Sequence, residues 1–294
     1  MSLSPDTLQI DVGDAQLGCV RWRGRPGAPV VVAVHGITAN AWSWSVVARH
    51  LDGEMSLVAI DLRGRGASHA APPPFGIRSH ADDVAAVIDR LGAAPAVLVG
   101  HSMGAHVALM TAERHPSAVG RIVLVDGGTP VPPAPDDVDP DEALEAMLGP
   151  SLARLGKVWP DRVTYHEMWR THPAFVGALT PEIERYVLSD LAPCDGGFRS
   201  VVNEQAVRQD GAELITDAEV RGLFDRRAEP VTVIRAETGL LGAPPPFVED
   251  DFVSRYPQHD WRMLRGSNHF TVLIGETGAA MIADSLREAA QALV

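Results

Sequence analysis

The sequence predicts an α/β protein: a mostly parallel sheet of eight strands, flanked by helices and interrupted by an inserted helical segment. Three observations carry this. Short β-branched runs alternate with amphipathic helical patterns, as in a parallel sheet covered by helices. A Gly-x-Ser-x-Gly pentapeptide, Gly100-His101-Ser102-Met103-Gly104, stands where one such run gives way to a helix. Between residues 129 and 229 no buried-strand run occurs, and about 100 residues is too long for a loop.

Each element follows from its local pattern. Two early strands are expected over 8–12 and 16–22, joined by the turn-forming Gly13-Asp14. Residues 29–35 form a continuous apolar run, the pattern of a strand buried on both faces; 55–61, 95–100, 121–125 and 230–236 repeat it. Residues 261–264 give a weaker last strand. Ala81, Val84, Ala85, Ile88 and Leu91 share one helical face. Residues 102–115 read as a helix with Val107, Met110 and Thr111 on one side and Pro116 ending it. Ile282, Leu286, Ala289 and Leu293 give a C-terminal amphipathic helix. The expected division is a core of 1–128 and 230–294 with a helical lid of 129–229, entered through a Pro-rich strap over 130–140.

Composition excludes several function classes. Acids outnumber bases 38 to 25 in 294 residues, a formal charge of −13, with Lys157 the only lysine. A field of that sign repels nucleic acid and anionic membrane surfaces, so neither is expected as a partner. The charge is uneven: between Arg121 and Arg154 there is no Lys or Arg, while Asp126, Asp136, Asp137, Asp139, Asp141, Glu142 and Glu145 are acidic. Strongly anionic substrates are therefore expected to be disfavoured there. No apolar run reaches the ~18 residues of a membrane span. The opening residues have neither a basic nor an apolar leader pattern, so no signal peptide is expected. Cys19 and Cys194 are far apart with no Cys-x-x-Cys, which fits a reducing cytoplasm. Homo-oligomerisation is left open.

The pentapeptide has the strand–turn–helix context of a nucleophile elbow. A sharp turn there exposes the Ser102 hydroxyl at a helix N-terminus, and the following Met103 N–H faces a developing oxyanion. His35-Gly36-Ile37-Thr38 directly follows a buried run, and the Ile37 N–H is the natural second oxyanion donor. No His/Cys/carboxylate spacing suggests a metal site: His166-Glu167 is followed by Arg170 where a second ligand would stand. No phosphate- or dinucleotide-binding glycine pattern occurs, so no cofactor is expected.

With these pieces the chain resembles the α/β-hydrolase fold family. The matching residues are His35-Gly36, the turn Asp61-Leu62-Arg63-Gly64-Arg65-Gly66-Ala67-Ser68, the elbow, and Ser267-Asn268-His269-Phe270, in the family's order over nearly the whole chain. The resemblance implies His269 as general base, and Asp61 and Arg63 as loop ties. Most members carry the triad acid after the seventh strand as Gly-x-x-Asp; here that place reads Ala236-Glu237-Thr238-Gly239. Two substitutes are visible: Asp126, ending the sixth strand as in some members, which is preferred, and Glu237 as the alternative.

In the insertion Trp159, Tyr165, Trp169, Phe175, Tyr186, Phe198 and Phe224 could build either a pocket or the lid's own core. Trp159, Trp169 and Tyr186, with Trp42 beside the oxyanion loop, are the expected substrate contacts. The expected activity is a serine hydrolase cleaving a small, largely neutral apolar ester or lactone without a cofactor. The alternatives are a C–C bond hydrolase of ring-fission products, needing an arginine such as Arg170 for an anionic substrate, and a non-catalytic binding protein on the same fold.

Overall fold

The apolar runs assemble into one sheet. In a computed structural model describing residues 4–131, 138–175 and 177–293, the strands are β1 (Asp6–Asp11), β2 (Gln16–Trp22), β3 (Val30–Val34), β4 (Ser56–Ile60), β5 (Ala96–His101), β6 (Val119–Val125), β7 (Leu191–Cys194), β8 (Gly197–Ser200), β9 (Thr232–Ala236) and β10 (Asp260–Leu264). Eight of them form the sheet, in the order β1-β2-β4-β3-β5-β6-β9-β10. The β1–β2 and β2–β4 pairings are antiparallel and the rest are parallel.

Helices α1 (Ser45–Leu51), α2 (Ile77–Arg90) and α3 (Met103–Arg114) connect the strands up to β6. The long connection from β6 to β9 holds α4 (Pro140–Ala153), α5 (Arg162–Thr171), α6 (Pro181–Leu188), the β7–β8 hairpin, α7 (Glu204–Thr216), and the short α8 (Ala218–Arg221) and α9 (Leu223–Arg226). After β9 come α10 (Asp251–Arg255), α11 (Thr271–Ile274) and α12 (Glu276–Gln291).

Strand alternation feeds two separate cores. Val32 and Val34 of β3 face one layer with Ala81, Val84 and Ile88 of α2 and Val107 of α3. Val31 and Ala33 face the other, with Val47 of α1 and Ile282 and Leu286 of α12. Each fully buried Val, Leu or Ile contributes about 1.5–3 kcal/mol, which explains why these runs tolerate no polar residue.

The β6–β9 connection is largely helical because polar caps punctuate it. Asp139, Asp161, Thr180 and Asn203 each accept a backbone N–H at the start of α4, α5, α6 and α7. Such caps contribute about 1 kcal/mol each. The segment is not wholly helical, however. The four-residue strands β7 and β8 pair antiparallel, and they are too short, with Pro193 inside one, to read as an apolar run. Of the Pro-rich strap, Pro132, Pro133 and Pro135 lie outside the described residues, as do Asp136 and Asp137. The acidity nearby is partly offset: Arg208 lies 3.6 Å from Asp141 and 3.1 Å from Glu145.

The Asp61–Ser68 turn is a tie. Asp61 accepts the N–H groups of Ala41 (2.7 Å) and Ala67 (2.9 Å), and burial pushes its carboxyl up to about 6. Arg63 grips Asp83 and Asp14, both at 2.6 Å. Deeper in, Asp210 of α7 meets Arg65 at 2.6 Å and His80 at 3.0 Å, all three fully buried. Burial would raise the Asp210 carboxyl, but Arg65 and His80 overcome it and hold it down to about 2. A carboxylate depressed by folding stabilises above its ordinary range and loses that contribution as pH falls through the folded value. Stability measured by urea unfolding should therefore drop by an extra ~2 kcal/mol between about pH 4 and pH 2. Asp210→Asn should be less stable at neutral pH but lack that acid step.

The cysteines are placed very differently. Cys19 is buried in β2, and burial followed by the nearby Asp61 charge pushes its thiol up to about 12. Cys194 is part-exposed at the end of β7. No helix among the described residues is long and apolar enough to cross a membrane.

Candidate active site

Three parallel strands deliver the candidate residues to one edge of the sheet. β5 ends in the elbow, where Ser102 has φ 56° and ψ −122°, a conformation costly for a side-chain-bearing residue. The flanking glycines are required by close approach: a Cβ at Gly100 would lie 2.1 Å from the Gly104 oxygen, and one at Gly104 2.3 Å from the Val34 oxygen. β6 delivers Asp126, itself at φ 43°. β3 delivers the His35–Asn40 loop, which passes so close over the serine that a Cβ at Gly36 would stand 3.2 Å from Ser102 Cβ.

His269 arrives from the other direction, in the loop between β10 and α11. Asn268 fixes it: its side-chain oxygen accepts the N–H groups of Phe270 and Thr271, each at 2.9 Å, while its amide donates to Ala174 O at 3.1 Å. His269 Nδ1 lies 2.7 Å from Asp126 Oδ2, and the other Asp126 oxygen accepts the Ala236 N–H at 2.9 Å. The carboxylate is fully buried. With Nδ1 donating to Asp126, Nε2 is left as the acceptor. The ring lies 4.7 Å from His101 and 4.5 Å from Phe247. His101 Nε2 meets the His269 carbonyl at 2.8 Å, and burial pushes the His101 imidazole down to about 3, so that ring stays neutral.

Glu237, the alternative acid, does not meet His269. Its carboxylate accepts the Gly266 N–H at 2.8 Å and faces Arg265 at 3.9 Å, tying two surface loops. Ser102 and His269 line one small cavity with Ile37, Trp169, Tyr186 and Phe270, and its open space is about 40 Å³. Leu148, Ser151, Leu240, Leu273 and Ile274 add further apolar and small walls, and the Gly36–Ala39 loop, Ser43 and His101 line it too. No Asp, Glu, Lys or Arg lines it among the described residues.

Two expected substrate contacts lie elsewhere. Trp42 packs edge-on against Trp22 (5.9 Å) beneath the Arg185 guanidinium (4.0 Å). It lines an outer groove of about 340 Å³, larger than the cavity at Ser102 and lined by neither Ser102 nor His269; its neighbour Ser43 lines the cavity at Ser102 instead. Trp159 fills the insertion's own interior, exchanging backbone hydrogen bonds with Phe198 (2.8 Å each) and meeting Tyr165 at 5.3 Å. Arg170 is exposed and paired with Glu167 at 2.5 Å. His259 is buried against Phe224 at 4.8 Å. Leu240 and Phe247 were missed because they sit in an irregular Gly/Pro loop with no periodicity to place them. No cluster of three or more His, Cys, Asp or Glu among the described residues is arranged to hold a metal ion.

Comparison with known proteins agrees with this architecture. Over 233 residues the chain is 27% identical to the 2-(acetamidomethylene)succinate hydrolase of Mesorhizobium japonicum, covering 79% of this chain and 78% of that one. Over 147 residues it is 35% identical to lipase LipV of Mycobacterium tuberculosis, 47% of this chain and 54% of that one. The crystal structure of an E-2-(acetamidomethylene)succinate hydrolase superposes with a TM-score of 0.78 over 97% of this chain and 100% of that one, at 23% identity. The model of the alpha/beta hydrolase fold matches residues 29–276, and the chain belongs to that family.

Proposed function

We propose that the chain is a serine hydrolase of small, neutral carboxylic esters or lactones. The observation that carries this reading is the buried Asp126–His269 pair (2.7 Å) beside a strained Ser102 in a cavity free of charged side chains. In the proposed reaction Ser102 Oγ attacks the carbonyl carbon and its proton passes to His269 Nε2. The carbonyl oxygen becomes an oxyanion held by the Ile37 and Met103 N–H groups. The tetrahedral intermediate collapses, the leaving alkoxide takes the proton from His269, and the acyl group stays on Ser102. Water, deprotonated by the same imidazole, then releases the acid and restores the serine. Asp126 keeps Nδ1 as donor and stabilises the imidazolium.

Neutral esters are favoured over acidic ones by the walls. The Mesorhizobium relative's name specifies a succinate, a doubly acidic compound. Here Arg170 is committed to Glu167, and Arg154 to Asp190 and a backbone carbonyl. A carboxylate brought into the cavity would lose its water without gaining a free cation. The same argument disfavours anionic ring-fission products. The test compares p-nitrophenyl butyrate with the p-nitrophenyl monoester of succinate. kcat/KM should be about 100-fold lower for the acidic ester, equivalent to ~3 kcal/mol. Equal values, or a preference for the acid, would sink the neutral-substrate reading.

A further inference from the structure

The loop carrying the Ile37 N–H is held in an unusual way. Three successive carbonyls on it each accept a hydrogen bond from a buried side chain. His35 Nδ1 takes Gly36 O at 2.7 Å, Arg65 Nε takes Ile37 O at 2.9 Å, and Arg154 Nη2 takes Thr38 O at 2.7 Å. The His35 ring can donate from Nδ1 because its Nε2 accepts the Leu62 N–H at 3.1 Å. Burial holds that ring neutral, its pKa pushed down to about 3.

The two arginines share a feature. Each is anchored on a buried carboxylate supplied by the β6–β9 connection. Arg65 is paired with Asp210 of α7, and Arg154 with Asp190, between α6 and β7. Arg154 Nη1 also reaches Tyr165 at 3.1 Å and Ser200 at 3.3 Å. Those partners already satisfy one arm of the fork inside the insertion. The other arm crosses to Thr38, 116 positions earlier in the chain. A third tie runs parallel: Asn40 donates to the Tyr186 carbonyl at 3.2 Å.

The Ile37 N–H shares its planar peptide unit with the Gly36 carbonyl, and the Ile37 and Thr38 carbonyls belong to the next two units, so Arg154 acts on that N–H by holding the far end of the same short loop in place. A guanidinium held by a carboxylate is a rigid, directional donor. We infer that Arg154, anchored by Asp190, is a positioning residue through which the inserted segment aims the Ile37 N–H, so that the oxyanion site is complete only with the segment seated. The inference rests on the serine-hydrolase reading above. It adds that the segment participates in transition-state stabilisation as well as in shaping the cavity. Losing one oxyanion donor outright costs about 10²–10³ in kcat; misaiming one costs part of that.

The test uses the full chain with Arg154→Met, Arg154→Lys and Asp190→Asn, assayed on p-nitrophenyl butyrate. Inhibition by phenylboronic acid, which forms a tetrahedral adduct on the serine, is measured beside inhibition by phenol, which does not. Arg154→Met should lower kcat about 30-fold with KM changed less than about threefold, and weaken phenylboronic acid by a similar factor while phenol is unaffected. Arg154→Lys should recover only part, because one ammonium cannot replace both arms of the fork. Asp190→Asn should fall on the same side as Arg154→Met. If folded variants keep wild-type kcat and boronate affinity, the inference is overturned. It is equally overturned if phenol and boronate weaken together, which is the mark of a collapsed cavity. Should Arg154→Met fail to fold, Arg154→Lys and Asp190→Asn carry the same comparison. Ser102→Ala separates the two claims: hydrolysis surviving that change defeats the serine-hydrolase reading itself, whatever Arg154 does.

Discussion

Ser102→Ala should reduce hydrolysis of p-nitrophenyl butyrate by at least about 10⁴-fold, with folding intact. The size follows from the proposed mechanism, in which Ser102, His269 and Asp126 work as a unit. Without the hydroxyl there is no acyl-enzyme, and only binding and the oxyanion donors remain to act on water. Stability should not suffer. Ser102 makes no capping hydrogen bond to α3, and alanine removes one oxygen at a position already facing the cavity. The positive φ at 102 is set by β5, by α3 and by the tight approach of Gly100 to Gly104, so the backbone strain stays with the variant. A single-turnover assay with intact-protein mass spectrometry completes the test: the parent chain should gain the acyl mass transiently and the variant should not. Acylation of the variant at another residue would sink the assignment.

The second large effect separates two carboxylates. Asp126→Asn should lower kcat by about 10⁴-fold, because an amide at that place can present its N–H to His269 Nδ1 and stabilise the wrong tautomer. It also removes the charge that balances the imidazolium. Glu237→Gln should leave kcat within about threefold. Its carboxylate accepts one exposed backbone N–H and lies near an arginine that is itself exposed, and surface interactions of that kind contribute at most ~1 kcal/mol to stability. If Glu237→Gln were the damaging change, the pairing drawn here would be wrong. Protein NMR of the imidazole protons offers an independent check: a strongly downfield Nδ1 proton should vanish in Asp126→Asn and persist in Glu237→Gln.

Different parts of this molecule were legible in the sequence for different physical reasons. The central parallel strands could be read within a few residues because strands buried on both faces need unbroken apolar runs, as Val30–Val34 and Ala96–His101 show. Ser102, with its two glycines, was legible because its backbone geometry leaves few residue choices. The acid was ambiguous in the sequence, since Asp126 and Glu237 both end buried strands and only the three-dimensional direction of each side chain separates them. The aromatic contacts divided. Trp169 and Tyr186 reach the cavity while Trp42 and Trp159 do not, because a large apolar side chain has the same pattern whether it fills a core or faces a ligand. The β7–β8 hairpin and the Leu240–Phe247 loop had no period to detect. The Arg65 and Arg154 clamps join positions far apart in the chain, and no local spacing announces them.

The contrast between the two cysteines has a practical side. Cys19, sealed in the sheet with its thiol driven far from ionisation, presents almost no thiolate to an electrophile at neutral pH. Cys194 sits on the hairpin of the segment that carries Asp190. A maleimide dye added to the unmodified chain should therefore attach at Cys194 in preference to Cys19, on the segment proposed to aim the Ile37 N–H. On the inference drawn for Arg154, emission from a dye at Cys194, followed while a tetrahedral inhibitor is mixed in, is the expected readout of the segment's seating, with no engineered residue.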